Sequence, residues 1–346
     1  VKPNALSQFP DKRKKLIAFL VGLAAFSLII YLGGSRAIRA VFQPGYFFLL
    51  LCFFAHLGFL LLQAIRWKYI AAKIRGIKSR SLRDYLKYYI YSMFGGQFIS
   101  RIGGDFLLRP LFLKKIDPAV TFSKAVAVIF LEKVADLIFV ILGIVPALLY
   151  LSAILTGRQA ALLALAIFLI GFWSLVFRIH PLVSCLQRVL RWIHGRGRAF
   201  PLLSRFARDS HLEKIEKISQ SELIRKKSIF FLLFTTGCKY IILGLRLYWL
   251  ARALNLPIPW TTLMAGLPVV QVSLIIAFTP GALGFREGGW YAVLGMRGLP
   301  RLAITTFLIG QRAYLFIFTS GIFLVVYVAI NLHRLFSRRR EPNGIP

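Results

Sequence analysis

Long apolar runs constrain this chain more than any other feature. Several exceed the roughly 18 residues that a helix needs to cross the hydrocarbon of a bilayer. A helix satisfies its own backbone there, where no water can. Six runs are long enough for a full crossing: 16–32, 46–71, 123–150, 160–177, 227–250 and 303–332. Hydrophobic residues make up 58% of the 346 and the mean hydropathy is +0.70, which excludes an ordinary soluble domain. The expectation is one all-α polytopic membrane domain covering residues 1–346. The first run follows Lys12-Arg13-Lys14-Lys15. It is longer than a signal-peptide core, and Gly33-Gly34-Ser35-Arg36 makes a poor cleavage site, so it reads as a retained helix.

Charge orients the spans. The net charge is +33, and basic residues gather at 12–15, at 66–87 (Arg66 to Lys87), at 178–227 and at 334–340. Loops on the other side hold only Arg36, Arg39, Arg158, Arg252, Arg297 and Arg301. By the positive-inside rule both termini lie on the cytoplasmic side of an inner membrane. The loop 178–227 contains two stretches, 182–193 and 212–223, that read as amphipathic helices lying on the membrane surface. Its positive charge also suits anionic lipid. The charge follows the membrane ends and no binding motif accompanies it, so a nucleic-acid partner is not expected.

Two further apolar stretches are interrupted. Residues 85–113 are broken at Gly95-Gly96 and Gly103-Gly104 and stop near Pro110; residues 260–298 are broken at Pro280-Gly281 and Gly284. The first is flanked by cytoplasmic charge, the second by charge assigned outside. Both read as re-entrant hairpins, entering from opposite sides. Non-helical backbone survives at membrane depth only where protein buries it or water fills a cavity, so the breaks predict a central cavity. Residues 16–150 then read span, span, hairpin, span, and residues 160–335 repeat that order with opposite orientation. Inverted repeats with interrupted helices mark transporters. Eight continuous transmembrane helices remain the alternative, with Lys114 and Lys115 outside.

Within this apolar chain of 12 acids, Asp105, Glu132, Asp136 and Glu287 lie inside or beside long apolar segments. An ionisable group at bilayer depth costs roughly 2.5–3.5 kcal/mol even on the lenient insertion scale, so each needs a partner or a wet cavity. Arg101, Arg109, Arg246, Arg286 and Arg312 are the candidate partners. Glu132 and Asp136 are four apart on one helix face, with Lys133 one step around, and Arg109, Arg246 or Arg312 can neutralise them. Asp136 lies deeper and is the better proton carrier. Asp105 and Arg109 are also four apart and pair directly if that arm is helical. In the second hairpin, Gly281 and Gly284 free backbone N–H groups that suit a phosphate. Arg286 adds a charge-assisted bond there, or locks the turn by pairing with Glu287. Arg246 and Tyr248 lie near a helix end, where snorkelling accounts for them. Tyr85, Tyr88, Tyr89, Tyr91 and Trp290 read as interfacial belts.

Enzyme signatures are not visible: no phosphate loop, no H-E-x-x-H, no G-x-S-x-G and no aspartate-rich prenyl-transfer motif. No cofactor or metal motif stands out. Cys52, Cys185 and Cys238 are far apart and read as packing residues.

Three elements carry a resemblance. They are Gly104-Asp105-Phe106-Leu107-Leu108-Arg109, then Glu132-Lys133-Val134-Ala135-Asp136, then Pro280, Gly281, Gly284, Glu287 and Gly288 with Arg312 downstream. In this order, over about residues 16–335, they resemble the flippase-like transmembrane domain of lysylphosphatidylglycerol synthases, also called multiple peptide resistance factors. The first element is one residue longer than the family's G-[DE]-x-x-R, and Ser100-Arg101-Ile102-Gly103 stands where the family usually has a proline. The chain ends six residues after Arg340, with no aminoacyl-transferase domain, so the resemblance implies moving or binding a lipid rather than making one. Relatives tied to hopanoid synthesis and glycolipid assembly widen the cargo to several amphiphiles.

The combined expectation is a lipid flippase rather than an enzyme. Arg109, Arg286 and Arg312, with Gly281 and Gly284, hold a phosphate-headed, anionic or glyco-lipid. Asp105, Glu132, Asp136 and Glu287 exchange protons or partners. Expected lipids are an anionic phospholipid, a polyprenyl phosphate or a hopanoid-type lipid. The alternative is a non-transporting scaffold for a membrane-bound synthase or glycosyltransferase.

Overall fold

The computed structural model describes Ser27, Tyr31, Ile77 and residues 34–74, 80–99, 104–177, 226–275 and 279–340. The rest of the expected span 16–32, the surface stretches 182–193 and 212–223, Arg101 and Gly103 fall outside these. The described elements are all helical. After a helical stretch at 34–42, the chain forms α1 (Tyr46–Lys73), α2 (Leu82–Gly96), a π-helical turn (Gly104–Leu108) and α3 (Arg109–Ile116). Next come α4 (Phe122–Leu151), α5 (Gly157–Phe177), α6 (Lys226–Ala253), α7 (Trp260–Ile275), α8 (Phe285–Met296) and α9 (Arg301–Arg340).

Five of these helices are long and apolar enough to cross a membrane: Tyr46–Lys73, Phe122–Leu151, Gly157–Ser174, Lys227–Ala253 and Arg301–Leu332. Leu162, Leu165, Leu169, Ile170 and Trp173 of α5 are exposed. In a bilayer they meet acyl chains at no cost. Polar caps mark the helix starts. Ser81 Oγ accepts the Asp84 N–H before α2, and Thr121 Oγ1 accepts the Lys124 N–H before α4, each at 3.4 Å.

The two interrupted stretches fold as pairs of short arms. In the first, α2 has 15 residues and α3 has 8 beyond the π turn; in the second, α7 has 16 and α8 has 12. At about 1.5 Å per residue, α2 and α7 are each shorter than the ~30 Å hydrocarbon core. The first pair closes backbone to backbone. A Cβ on Gly104 would sit 2.9 Å from Gly96 Cα and 3.3 Å from Ser92 O, so only glycine fits. Ser92 Oγ donates to Gly104 O at 2.8 Å and satisfies a carbonyl freed by the break.

Each arm pair has its own apolar core. One gathers α1, α2, α3 and the first half of α4, around Trp67, Tyr85 and Ile129. The other gathers α6, α7, α8 and α9, around Tyr240, Trp290 and Phe307. Tyr85, Tyr89 and Trp290 are therefore buried core residues and not interfacial belts. Sequence shows an aromatic near a helix end, but not the neighbours that cover it.

The packing is reciprocal. Helix α1 lies along α6. Helix α4, which follows the first arm pair, packs on α7 of the second; α9, which follows the second arm pair, packs on α2 of the first.

Candidate functional site

Ten described residues of α1, α2, the π turn, α3, α4 and α6 form one polar network. Arg109, fully buried, donates through Nη2 to Glu132 Oε2 at 2.6 Å and through Nη1 to Oε1 at 3.3 Å. This is the paired fork that suits a guanidinium to a carboxylate. Arg109 Nη1 also reaches Asp105 Oδ1 at 3.4 Å, and its guanidinium lies over the rings of Trp67 and Tyr89. Gln63 Nε2 donates to Glu132 Oε1 at 3.3 Å and to Tyr89 Oη at 3.1 Å. Lys133 Nζ lies 2.5 Å from Asp105 Oδ2.

Asp136 is held by two cations. Arg66 Nη2 donates to its Oδ1 at 3.0 Å and Lys239 Nζ lies 2.5 Å from the same oxygen. Arg66 also donates to Gln63 Oε1 at 2.7 Å and to Thr236 Oγ1 at 3.1 Å. Breaking one side of such a buried pair costs about 3–5 kcal/mol, because the remaining charge has no water to turn to.

These pairings correct the sequence reading in three places. Arg66, assigned to a cytoplasmic flank, has 0% exposure and holds Asp136. It stands at the end of an apolar run, where counting flanking charge cannot tell inside from buried. Arg246 Nη1 lies 3.0 Å from His56 Nδ1, and the residue lines the cavity described below rather than snorkelling. Lys239 was missed, as was Gln63. The signal existed, since a lysine in the middle of the apolar run 227–250 carries the same cost that singled out the acids.

The second arm pair has a separate lock. Glu287, 1% exposed, accepts the Gly284 N–H on Oε2 at 2.8 Å, and its Oε1 faces Arg312 Nη1 at 3.6 Å. Arg312 Nη1 donates to Gly281 O at 2.8 Å. Glu287 thus supplies the negative charge that the start of α8 favours. That takes the Gly284 N–H out of the expected phosphate cradle, while Gly281 stays on the cavity wall. Arg312 is a partner of Glu287, and Arg286 lies on the cavity wall.

Between the two arm pairs lies a cavity of about 150 Å³. That is room for a handful of waters or a compact polar head. Its described wall carries four basic side chains, Lys133, Lys239, Arg246 and Arg286, against two carboxylates, Asp105 and Asp136. Gln63, Gln97, Gln271 and Gln311 add amides, and Leu243, Leu267 and Leu274 an apolar side. The expected cavity is therefore present, with α1, α4, α6, α9 and both arm pairs around it. Of the expected site residues, Asp105, Asp136, Gly281 and Arg286 line it; Arg109, Glu132, Gly284, Glu287 and Arg312 stand outside its lining. The reason for the two arginines is chemical. The carboxylates of Glu132 and Glu287 already take their guanidinium groups.

Residues 16–322 match the lysylphosphatidylglycerol synthase TM region. The chain belongs to that family. Comparison with curated proteins and with solved structures finds no match. Membership makes this a multi-pass membrane protein related to lipid synthesis or transport. The π turn spans Gly104–Leu108 and sits directly before Arg109. Asp105 and Arg109 stay within bonding reach across it.

Proposed function

We propose that this protein moves an anionic, phosphate-headed lipid across the inner membrane, and that the cavity receives the head group. One observation carries the reading: a cavity inside a family of lipid-related membrane domains, walled by four basic side chains and two carboxylates. An anionic head replaces lost hydration with charge-assisted bonds there. Arg246 and Arg286 are its first contacts, while the Arg109–Glu132 and Arg312–Glu287 pairs hold the wall in shape. Anionic phospholipids and polyprenyl phosphates fit this wall better than an uncharged hopanoid-type lipid. No catalytic role is assigned, and both termini are placed in the cytoplasm by charge.

The mode of movement follows from the arrangement of arms. Short arms of about 15 residues favour two re-entrant hairpins over eight full crossings. The reciprocal packing of α4 on α7 and α9 on α2 supports an inverted repeat. Such repeats alternate access by rocking one half against the other around a central site. The scaffold reading, in which the chain only supports a synthase or glycosyltransferase, gives the charged cavity no work.

The test is translocation in proteoliposomes of the purified chain. Head-labelled phosphatidylglycerol, a neutral phospholipid and a polyprenyl phosphate are compared with protein-free liposomes. Movement of an anionic lipid above the neutral one is expected. Equal background rates for all three would remove the transport reading and leave the scaffold.

A further inference from the structure

The polar network contains a charge imbalance that the transport reading does not use. Its described members are four cations, Arg66, Arg109, Lys133 and Lys239, and three carboxylates, Asp105, Glu132 and Asp136. Arg109 takes Glu132 in a fork, and Lys133 takes Asp105. Asp136 is left with two cations on a single oxygen, Arg66 and Lys239. One of the two is surplus to neutrality. A surplus charge is costly in a dry interior, and the cost vanishes if an anion arrives beside it or a proton leaves.

Arginine and lysine differ in what they can do about this. A guanidinium keeps its proton under all protein conditions, whereas an ammonium can give it up. Arg66 is fully buried and tied to Gln63, Thr236 and Asp136 together, so it is the fixed partner. Lys239 is 5% exposed and lines the cavity, so it meets both the carboxylate and whatever fills the space. Charged groups acting on it are Asp136 and Lys133 from α4 and Arg66 from α1. On its own helix the Tyr240 ring lies 4.4 Å from Nζ. Helices α7 and α9 bring Gln271 and Gln311 to the wall, neither of which titrates. Helix α5 carries one charge, Arg158, in its first turn.

We propose that Lys239 is the coupling site of this protein: an anionic lipid head enters the cavity together with one proton, which binds to the Lys239 amine. The inference rests on the anionic-lipid reading above. In the empty cavity the Lys239 Nζ lone pair is unprotonated and the Asp136–Arg66 pair is neutral by itself. When the anion enters, the lone pair takes a proton from water, and the new ammonium balances the new negative charge. When the anion leaves, the proton leaves with it. No other electron or group moves. A proton gradient then drives the lipid toward the side of higher pH, without nucleotide hydrolysis.

The experiment is calorimetric titration of the purified full chain with dihexanoyl phosphatidylglycerol. Its phosphodiester keeps one negative charge across the range used. Buffers of different ionisation enthalpy give the number of protons taken up. Wild-type protein takes up about one proton per bound probe, and its Kd rises about tenfold per pH unit on the alkaline side, as linkage requires. Lys239→Arg, charged at every pH, takes up none and gives a Kd that no longer changes with pH. Lys239→Met also takes up none and binds more weakly throughout, with Asp136 still held by Arg66. Binding without proton uptake in wild type, or proton uptake that persists in Lys239→Arg, overturns the coupling role and leaves the anionic site standing. Absence of binding to wild type overturns both.

Discussion

At the scale of single residues, the central fact is that charge in this protein is sorted by partner. Arg109 and Glu132 are both fully buried and answer each other in a fork. Glu132→Ala should therefore cost about 3–5 kcal/mol, because Arg109 is left charged in a dry site. Thermal unfolding in detergent would show it as a marked fall in Tm. The double variant Arg109→Met/Glu132→Met should recover most of the loss, since no orphan charge remains. Equal losses in single and double variants would mean that the pair does not act as a unit. The acids were legible in sequence because their cost at membrane depth is large whatever surrounds them. Their partners were not. Asp136 lies 70 residues from Arg66 and more than 100 from Lys239, and no local spacing encodes such meetings.

At the scale of elements, the breaks in α2–α3 and α7–α8 do the positioning. Gly281 has φ +56°, and a Cβ there would lie 2.9 Å from Arg312 Nη2 and 3.1 Å from Gln97 O. Gln97 caps the end of α2 at the break of the first arm pair, so at this glycine the two arm pairs touch. Gly281→Ala should destabilise by about 1–3 kcal/mol through backbone strain and loosen that contact. Hydrogen exchange at 94–99 and 279–284 should rise together; a rise confined to one arm pair would show that the contact carries no coupling. Glu287 does two things, capping α8 through Gly284 and facing Arg312. Glu287→Gln keeps an acceptor for the cap, so it should be milder than Glu287→Ala by about 1 kcal/mol. Equal unfolding midpoints for the two would show that the cap carries no weight. The glycine and proline breaks were visible in sequence, because these residues free backbone groups wherever they stand. The second hairpin's chemistry was misread for a related reason. Sequence shows free N–H groups at a helix start, but not that Glu287 folds back to fill one.

At the scale of the whole molecule, five long apolar helices and two pairs of short arms among the described residues enclose a cavity with more basic side chains than carboxylates. Spans were legible because length and hydropathy alone decide what crosses a bilayer. The reciprocal packing was foreshadowed only by the order of spans and breaks, and it is a property of contacts rather than of any residue. This cavity is the proposed path of an anionic head group. The most direct measurement is the phosphatidylglycerol translocation rate in proteoliposomes of wild type and of Arg246→Gln/Arg286→Gln, both shown folded by a monodisperse elution profile. Each arginine should contribute about 1.5–3 kcal/mol to holding the anion. The rate should therefore fall at least about tenfold in the double variant, with the slow movement of a neutral lipid unchanged. Equal phosphatidylglycerol rates for the two proteins would contradict the account.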